Sequence, residues 1–281
     1  METLSLFTAF CYSLSSVLVR KGLEESTPYS ASIIGSMVQT LILSILLLHN
    51  MPTINWEAVT FFALSGFLAS NLGRLFNYLS VERLGVALSS SIIGGSPLIS
   101  TALAIIILGE KSSLTIILGT ILVVSGITVI SSRRGRVRIR GKNMIFPLLS
   151  AVLYGASTVV RKIGLNIQSE AILGAQIGAF TGFLSFLITV TATDRLGELK
   201  ANIKSLLLFA SSGVIVSAGW IAMFTAMQNG TVSIVATLIG AYPLFSLLLS
   251  YFMLRGEEDI STRVILGSIM VVMGVVLVTL F

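Results

Sequence analysis

The chain is a succession of long uncharged apolar tracts separated by short charged punctuation. The uncharged tracts run 3–19, 26–56, 58–73, 84–109, 112–132, 143–160, 171–193, 205–254 and 264–281. A helix that crosses a bilayer needs about 20 mostly apolar residues, because the hydrocarbon is about 30 Å thick and each residue rises about 1.5 Å. The tract of 50 residues at 205–254 is too long for one crossing. Gln228-Asn229-Gly230-Thr231 punctuates its middle and predicts a helical hairpin. The pattern predicts ten helices, near 3–20, 29–48, 57–79, 85–108, 113–131, 143–162, 170–192, 204–228, 231–254 and 261–280. No in/out alternation of ten-residue segments recurs, so the aliphatic runs predict helices rather than barrel strands. Met1-Glu2-Thr3 carries no basic n-region, and no small-residue cleavage site precedes Arg20-Lys21. The first tract therefore predicts a span, not a removable leader.

The pattern repeats at half length. Tyr12, Ser15, Gly22 and Leu23 match Tyr154, Ser157, Gly164 and Leu165, and Ser65-Gly66 matches Ser212-Gly213. Gly94-Gly95-Ser96-Pro97-Leu98 matches Gly240-Ala241-Tyr242-Pro243-Leu244. Gly109-Glu110 matches Gly256-Glu257, and Gly119 and Gly126 match Gly267 and Gly274. The ordered series predicts one five-helix unit present twice: residues 1–132, a basic linker at 133–142, and residues 143–281. Five crossings are odd, so the second copy enters from the opposite side. The expected fold is an all-α membrane protein of two inverted five-helix repeats, an arrangement suited to alternating access about a midplane site.

Composition sharpens this reading. Hydrophobic residues make up 54% of the 281 positions and charged residues 11%, where a soluble domain carries roughly a quarter charged. Such a chain cannot cover a water-facing surface, which argues against a soluble enzyme and against disorder. Cys11 and His49 are the sole residues of their kinds, so neither a disulfide framework nor a His/Cys metal cluster is available. The twelve acids fall at predicted helix ends or in loops. With no acid or His inside a span there is no evident general base. No GxxxxGK[ST] sequence suggests ATP drive, and no cofactor is implied.

Basic residues set the expected orientation. Lys111, Arg161 and Lys162 fall in loops on the side of the termini, and fourteen others fall on the opposite side, concentrated in the 133–142 linker. The positive-inside rule places that linker in the cytoplasm and both termini outside a plasma or inner membrane. The linker reads as a topology signal rather than a nucleic-acid patch.

Several polar residues fall within spans. Arg74 is the one ionisable side chain clearly inside, and Asn71, Arg74 and Tyr78 recur at helical spacing on one predicted face. Their function is either to hold a carboxylate or phosphate through the guanidinium fork or to serve structure, with Arg74 snorkelling to headgroups. Ser217, Trp220 and Phe224 share a face of the eighth helix, as an aromatic cavity wall or as core. Thr8, Tyr12 and Ser15 match Ser150, Tyr154 and Ser157, as cavity lining or as interhelical hydrogen bonds. Tyr242 is a further expected wall. Pro97 and Pro243 fall inside the fourth and ninth predicted helices beside Gly94, Gly95 and Gly240. Matched interruptions of this kind mark a hinge or binding site, or a static kink. Glu110 and Glu257 are expected to be structural or solvated, or to favour the N-terminus of the helix that follows each. Gly174, Gly178 and Gly182 predict close packing within the bundle, with a homodimer contact as the alternative.

Ten helices arranged five plus five, with Pro97…Gly109-Glu110 and Pro243…Gly256-Glu257 closing the fourth helix of each half, resemble the EamA-type exporters of the drug/metabolite transporter superfamily. The resemblance implies a central cavity between the halves and transport of a small molecule, commonly export of amino acids or other metabolites. Small multidrug exporters of that superfamily exchange lipophilic cations for protons at a Glu in the first helix. Here that helix holds Cys11-Tyr12-Ser13, which disfavours that chemistry. The expected function is secondary export of an amino acid or similar carboxylate-bearing amphipathic compound. Its partners would be that small molecule and the bilayer. The rivals are a facilitator or exporter for neutral or cationic compounds with Arg74 structural, a membrane scaffold that moves nothing, and a channel with a continuous wet pore.

Overall fold

The protein is described by a computed structural model covering residues 1–49, 51–111, 113–131, 141–253 and 262–280. The 133–142 linker, up to residue 140, and the Gly256-Glu257 pair lie outside the described residues. The described residues form helices and no strand. In chain order the helices are α1 (Glu2–Gly22), α2 (Pro28–His49), α3 (Trp56–Leu84), α4 in two pieces (Val86–Ile93 and Ser96–Leu108) and α5 (Leu114–Ser131). They continue as α6 (Ile145–Ile167), α7 (Ala171–Ala192), α8 (Ile203–Gln228), α9 in two pieces (Val232–Ile239 and Tyr242–Met253) and α10 (Thr262–Leu280). Among the described residues, seven segments are long and apolar enough to cross a membrane, and shorter apolar helices occupy the fourth, fifth and tenth predicted positions. Side chains such as Leu41, Ile45, Leu48, Ile106 and Phe252 are exposed along these helices. In a bilayer they face lipid, so the sidedness that water would impose on a soluble helix is absent.

Packing between the helices is set by small residues and carries the mark of the duplication. A Cβ added to Gly22 would strike the Phe209 ring, and one added to Gly164 would strike Phe62. The same exchange occurs with Gly66 against Gly178 and Gly213 against Gly35. On the α5/α10 pair, Gly119 meets Gly274 and Gly126 meets Gly267. Gly119 and Gly126 are the sequence counterparts of Gly267 and Gly274, so each glycine faces the counterpart of the other. That pattern requires a local two-fold axis. The pair runs antiparallel, so the axis crosses the helices and the two repeats are inverted. The Gly174, Gly178 and Gly182 stripe faces Phe224, Trp220 and Ser70 inside the bundle. It is spent on internal packing.

The fourth and ninth helices differ from expectation in one respect. Each is interrupted, but not by its proline. Chain direction tightens at Gly94-Gly95 and at Gly240-Ala241, where Gly95 N–H bonds Ile92 O at 3.0 Å and Ala241 N–H bonds Leu238 O at 3.2 Å. Pro97 and Pro243 each stand second in the helix that restarts. There the missing N–H is one that would be unpaired anyway. The glycines hold ordinary right-handed backbone, with φ of −59° at Gly94, −75° at Gly95 and −56° at Gly240. Gly240 is small for a different reason: a Cβ there would come within 2.4 Å of Pro97 Cγ, so the two interruptions abut.

Glu110 does not serve the helix that follows it. Its carboxylate accepts from Val232 N–H at 2.7 Å, Ser233 N–H at 3.1 Å and Ser233 Oγ at 2.6 Å. It caps the N-terminus of α9 in the other repeat, satisfying orphan donors with a negative charge at the positive end of the helix. Beside it, Lys162 donates to the carbonyls of Met227 at 2.7 Å and Gly230 at 3.0 Å.

Two outcomes follow for thermal unfolding of the detergent-purified protein. Glu110→Ala removes an inter-repeat cap and should cost about 1 kcal/mol, within the range of lost N-caps; an unchanged midpoint would show the cap to be energetically idle. Gly66→Ala places a methyl 2.2 Å from the Gly178 carbonyl oxygen and should cost about 1–3 kcal/mol as an overpacking change. Gly197→Ala, with open space around it, should leave the midpoint in place.

Candidate functional site

A cavity with about 950 Å³ of atom-free space, solvent-continuous parts included, lies between the repeats. The same three helices of each repeat wall it: α1, α3 and α4 from the first, and α6, α8 and α9 from the second. Tyr12 and Ser15 on α1 face their counterparts Tyr154 and Ser157 on α6 across it. The interruptions reach it through Ser96, Gly240 and Tyr242. A break in a membrane helix is tolerated where it lines a polar space, because the freed backbone groups can be satisfied there. Ser13 Oγ donates to the Tyr242 carbonyl at 2.6 Å and ties α1 to the start of the second piece of α9.

Of the residues singled out in the sequence, Tyr12, Arg74, Tyr78, Tyr154, Trp220, Tyr242 and Gly240 line the cavity. Gly94, Gly95 and Pro97 are not among the lining residues, whereas their chain neighbours Ile93 and Ser96 are. Asn71 does not share the face of Arg74 and Tyr78, contrary to expectation. The backbone of α3 is a π-helix over Phe67–Gly73, and its i→i+5 bonding rotates the residues before Arg74 out of the register that regular helical spacing assigns. Asn71 is fully buried and donates through Nδ2 to Thr189 Oγ1 at 3.3 Å on α7. Asn77 takes the cavity position, its Nδ2 3.5 Å from Tyr154 Oη. The matched polar faces of α1 and α6 divide between the two roles. Thr8 and Ser150 bond the carbonyls of Gly219 and Gly73 at 3.2 and 2.9 Å, while Tyr12, Ser15, Tyr154 and Ser157 face the cavity.

Arg74 is 6% exposed. Its Nη2 donates to Gln39 Oε1 at 2.5 Å and to Ser70 Oγ at 3.1 Å. Gln39 is the lone amide in the second predicted span, which is the signal that would have singled it out. Arg161 is the larger surprise. Arg161 closes the uncharged tract 143–160 and stands at the end of the predicted 143–162 helix, which is why the sequence reading assigns it to a loop. The helix runs on to Ile167, and Arg161 is a cavity residue with 2% of its surface exposed. Its guanidinium lies 5.1 Å from the Trp220 ring centre and 4.8 Å from that of Phe224. Desolvated cation–π contacts of this kind are worth about 2 kcal/mol. Trp220 is therefore both wall and core, tilted against Phe224 at 5.8 Å.

The cavity is electrostatically one-sided. Among the described residues no Asp or Glu lines it. The ion pairs among them lie at helix ends, Arg195 with Glu198 and Lys204 with Glu24 and Glu25. No group of His, Cys, Asp and Glu suited to a metal occurs among the described residues. The chemistry on offer is hydrogen-bond donation and positive charge between aromatic walls, which suits recognition of an anion on an apolar body.

Comparisons with known proteins agree with this architecture. The sequence matches the EamA-like transporter family over residues 1–132 and again over 141–280. An uncharacterized transporter of Archaeoglobus fulgidus is 23% identical over 282 aligned residues, covering 99% of this chain and 97% of the relative. The uncharacterized transporter YvbV of Bacillus subtilis is 25% identical, covering 97% of this chain and 89% of its own. A solved crystal structure shares the fold with a TM-score of 0.75 at 16% identity, over 99% of this chain and 96% of that one. Two matched halves, with nearly full-length relatives that are themselves transporters, make the protein a multi-pass membrane protein of two repeats, and the chain belongs to the EamA-like transporter family.

Proposed function

We propose that the protein is a secondary exporter of a small carboxylate-bearing amphipathic metabolite, an amino acid or a similar compound, working by alternating access. The observation that carries this reading is the cavity between the repeats, walled by aromatic side chains and holding buried arginine without an acid to neutralise it. A scaffold that moved nothing would have no use for such a space at the depth where an unpaired charge is costly. In this reading Arg74 holds the carboxylate, Asn77 and Tyr78 add hydrogen bonds, and Tyr12, Tyr154, Trp220 and Tyr242 enclose the apolar part. Residues 1–132 and 143–281 act as the two moving halves. Gly94, Gly95 and Pro97, with Gly240 and Pro243, are the points about which the fourth and ninth helices bend. The basic linker is cytoplasmic and both termini external, in the plasma or inner membrane.

A rival reading takes support from the Arg74–Gln39 bond, which ties α3 to α2. It makes Arg74 structural and the cargo neutral or cationic. Thermal unfolding of wild type and Arg74→Ala against amino acids and their amides separates the two. A native-state ligand at about 100 times its Kd stabilises by about 2.7 kcal/mol. Acids should stabilise the wild type and their amides should not. Arg74→Ala should weaken the acids by roughly ten- to a hundredfold, the range expected for losing a hydrogen bond to a charged group. Equal shifts for acid and amide in both proteins would remove Arg74 as the anchor.

A further inference from the structure

Arg161 is not used by the reading above, and its donors are unspent. Nε is buried with no hydrogen-bond partner. Nη1 lies 3.2 Å from the sulfur of Met223, and Tyr12 Oη donates to the same sulfur at 3.3 Å. A thioether is a weak acceptor, so two strong donors converge on an atom that satisfies neither. The rings of Trp220 and Phe224 favour the cation but bring no negative charge. This is a charged side chain, 2% exposed, aimed into the cavity with its hydrogen-bonding capacity open.

The placement of the two arginines is set by how α3 and α6 lie against each other. Ser150 bonds the Gly73 carbonyl at 2.9 Å, and Gly164 sits against the ring of Phe62. Residue numbers rise along one helix as they fall along the other, so the pair is antiparallel. Arg74 is therefore level with the turn of α6 that holds Ser150. Arg161 stands about 16 Å further along that helix, from 1.5 Å per residue. Helical side chains lean toward the N-terminus of their own helix. On antiparallel helices the two guanidinium groups consequently lean toward each other, across the wall formed by Tyr12 and Tyr154. Each lean shortens the separation of the two guanidinium groups from that axial offset toward the reach of a short dicarboxylate.

We propose that the cavity is built for a substrate with two separated carboxylates, one held by Arg74 and the other by Arg161 together with the Tyr12 hydroxyl, which exchange the Met223 sulfur for a carboxylate oxygen. The proposal rests on the transport-site reading and narrows its substrate class.

The test is titration of the full chain in detergent with the α,ω-dicarboxylates from succinate to suberate, each beside its monomethyl ester and the monocarboxylate of equal length. Wild type should bind one chain length best, and at least tenfold tighter than the ester of that length. Arg161→Gln should bring the diacid-to-ester ratio close to one. Tyr12→Phe, which removes a single hydroxyl, should lower it severalfold and stands in should Arg161→Gln fail to fold. A wild type that binds diacid and ester equally, or binds monocarboxylates and no diacid, would overturn the two-carboxylate site and leave the monocarboxylate reading standing. Silence toward every carboxylate would overturn both.

Discussion

Two buried guanidinium groups, Arg74 and Arg161, line the cavity of this bundle, and among the described residues no carboxylate lines it with them. Insertion of such a charge costs at least about 2.5 kcal/mol, and the surrounding structure is arranged to meet that cost. Gln39 and Ser70 face Arg74 with neutral acceptors. Trp220 and Phe224, packed against each other, both lie beside the Arg161 guanidinium. Neither arrangement neutralises the charge, so the cavity between them keeps a positive field. Two helices break where they border this space and a third takes a π-turn beside it. Irregular backbone at this depth persists where polar groups can satisfy what the helix gives up.

Inverted duplication gives the two halves one frame in opposite orientations. The contacts that hold the repeats together come in exchanged pairs, such as Gly22 with Phe209 and Gly164 with Phe62. Small residues let backbones approach closely where apolar attraction between helices is no stronger than attraction to lipid. The symmetry is broken where chemistry is concentrated. Arg74 and Arg161 do not occupy corresponding positions in the two repeats. The Glu110 cap on α9 joins the halves at the rim. The frame is symmetric and its centre is not.

The frame was legible in the chain because hydrocarbon imposes a length and an apolarity that few sequences meet by accident. Arg74, Tyr12, Tyr154 and Trp220 were legible too, since a polar or bulky residue inside an apolar tract needs a reason to be there. Asn71 was misplaced because helical spacing assumes 3.6 residues per turn, and the π-turn before Arg74 breaks that count. The prolines were read as interruptions, whereas the chain tightens two residues earlier and each proline begins the helix that restarts.

Hydrophobic tracts, the ordered repeat and the charge-poor composition determine by themselves that this chain is a helical membrane protein built twice, with the second copy inverted. These properties follow from the solvent and from counting crossings, and they need no knowledge of which faces meet. Tertiary structure alone decided that Arg161 belongs to the cavity, that Asn77 rather than Asn71 faces it, and that Glu110 caps a helix of the opposite repeat. Each depends on the rotation and depth of one helix relative to another. In lipid that relation is fixed by close contact between small residues and not by an apolar stripe that sequence periodicity could display.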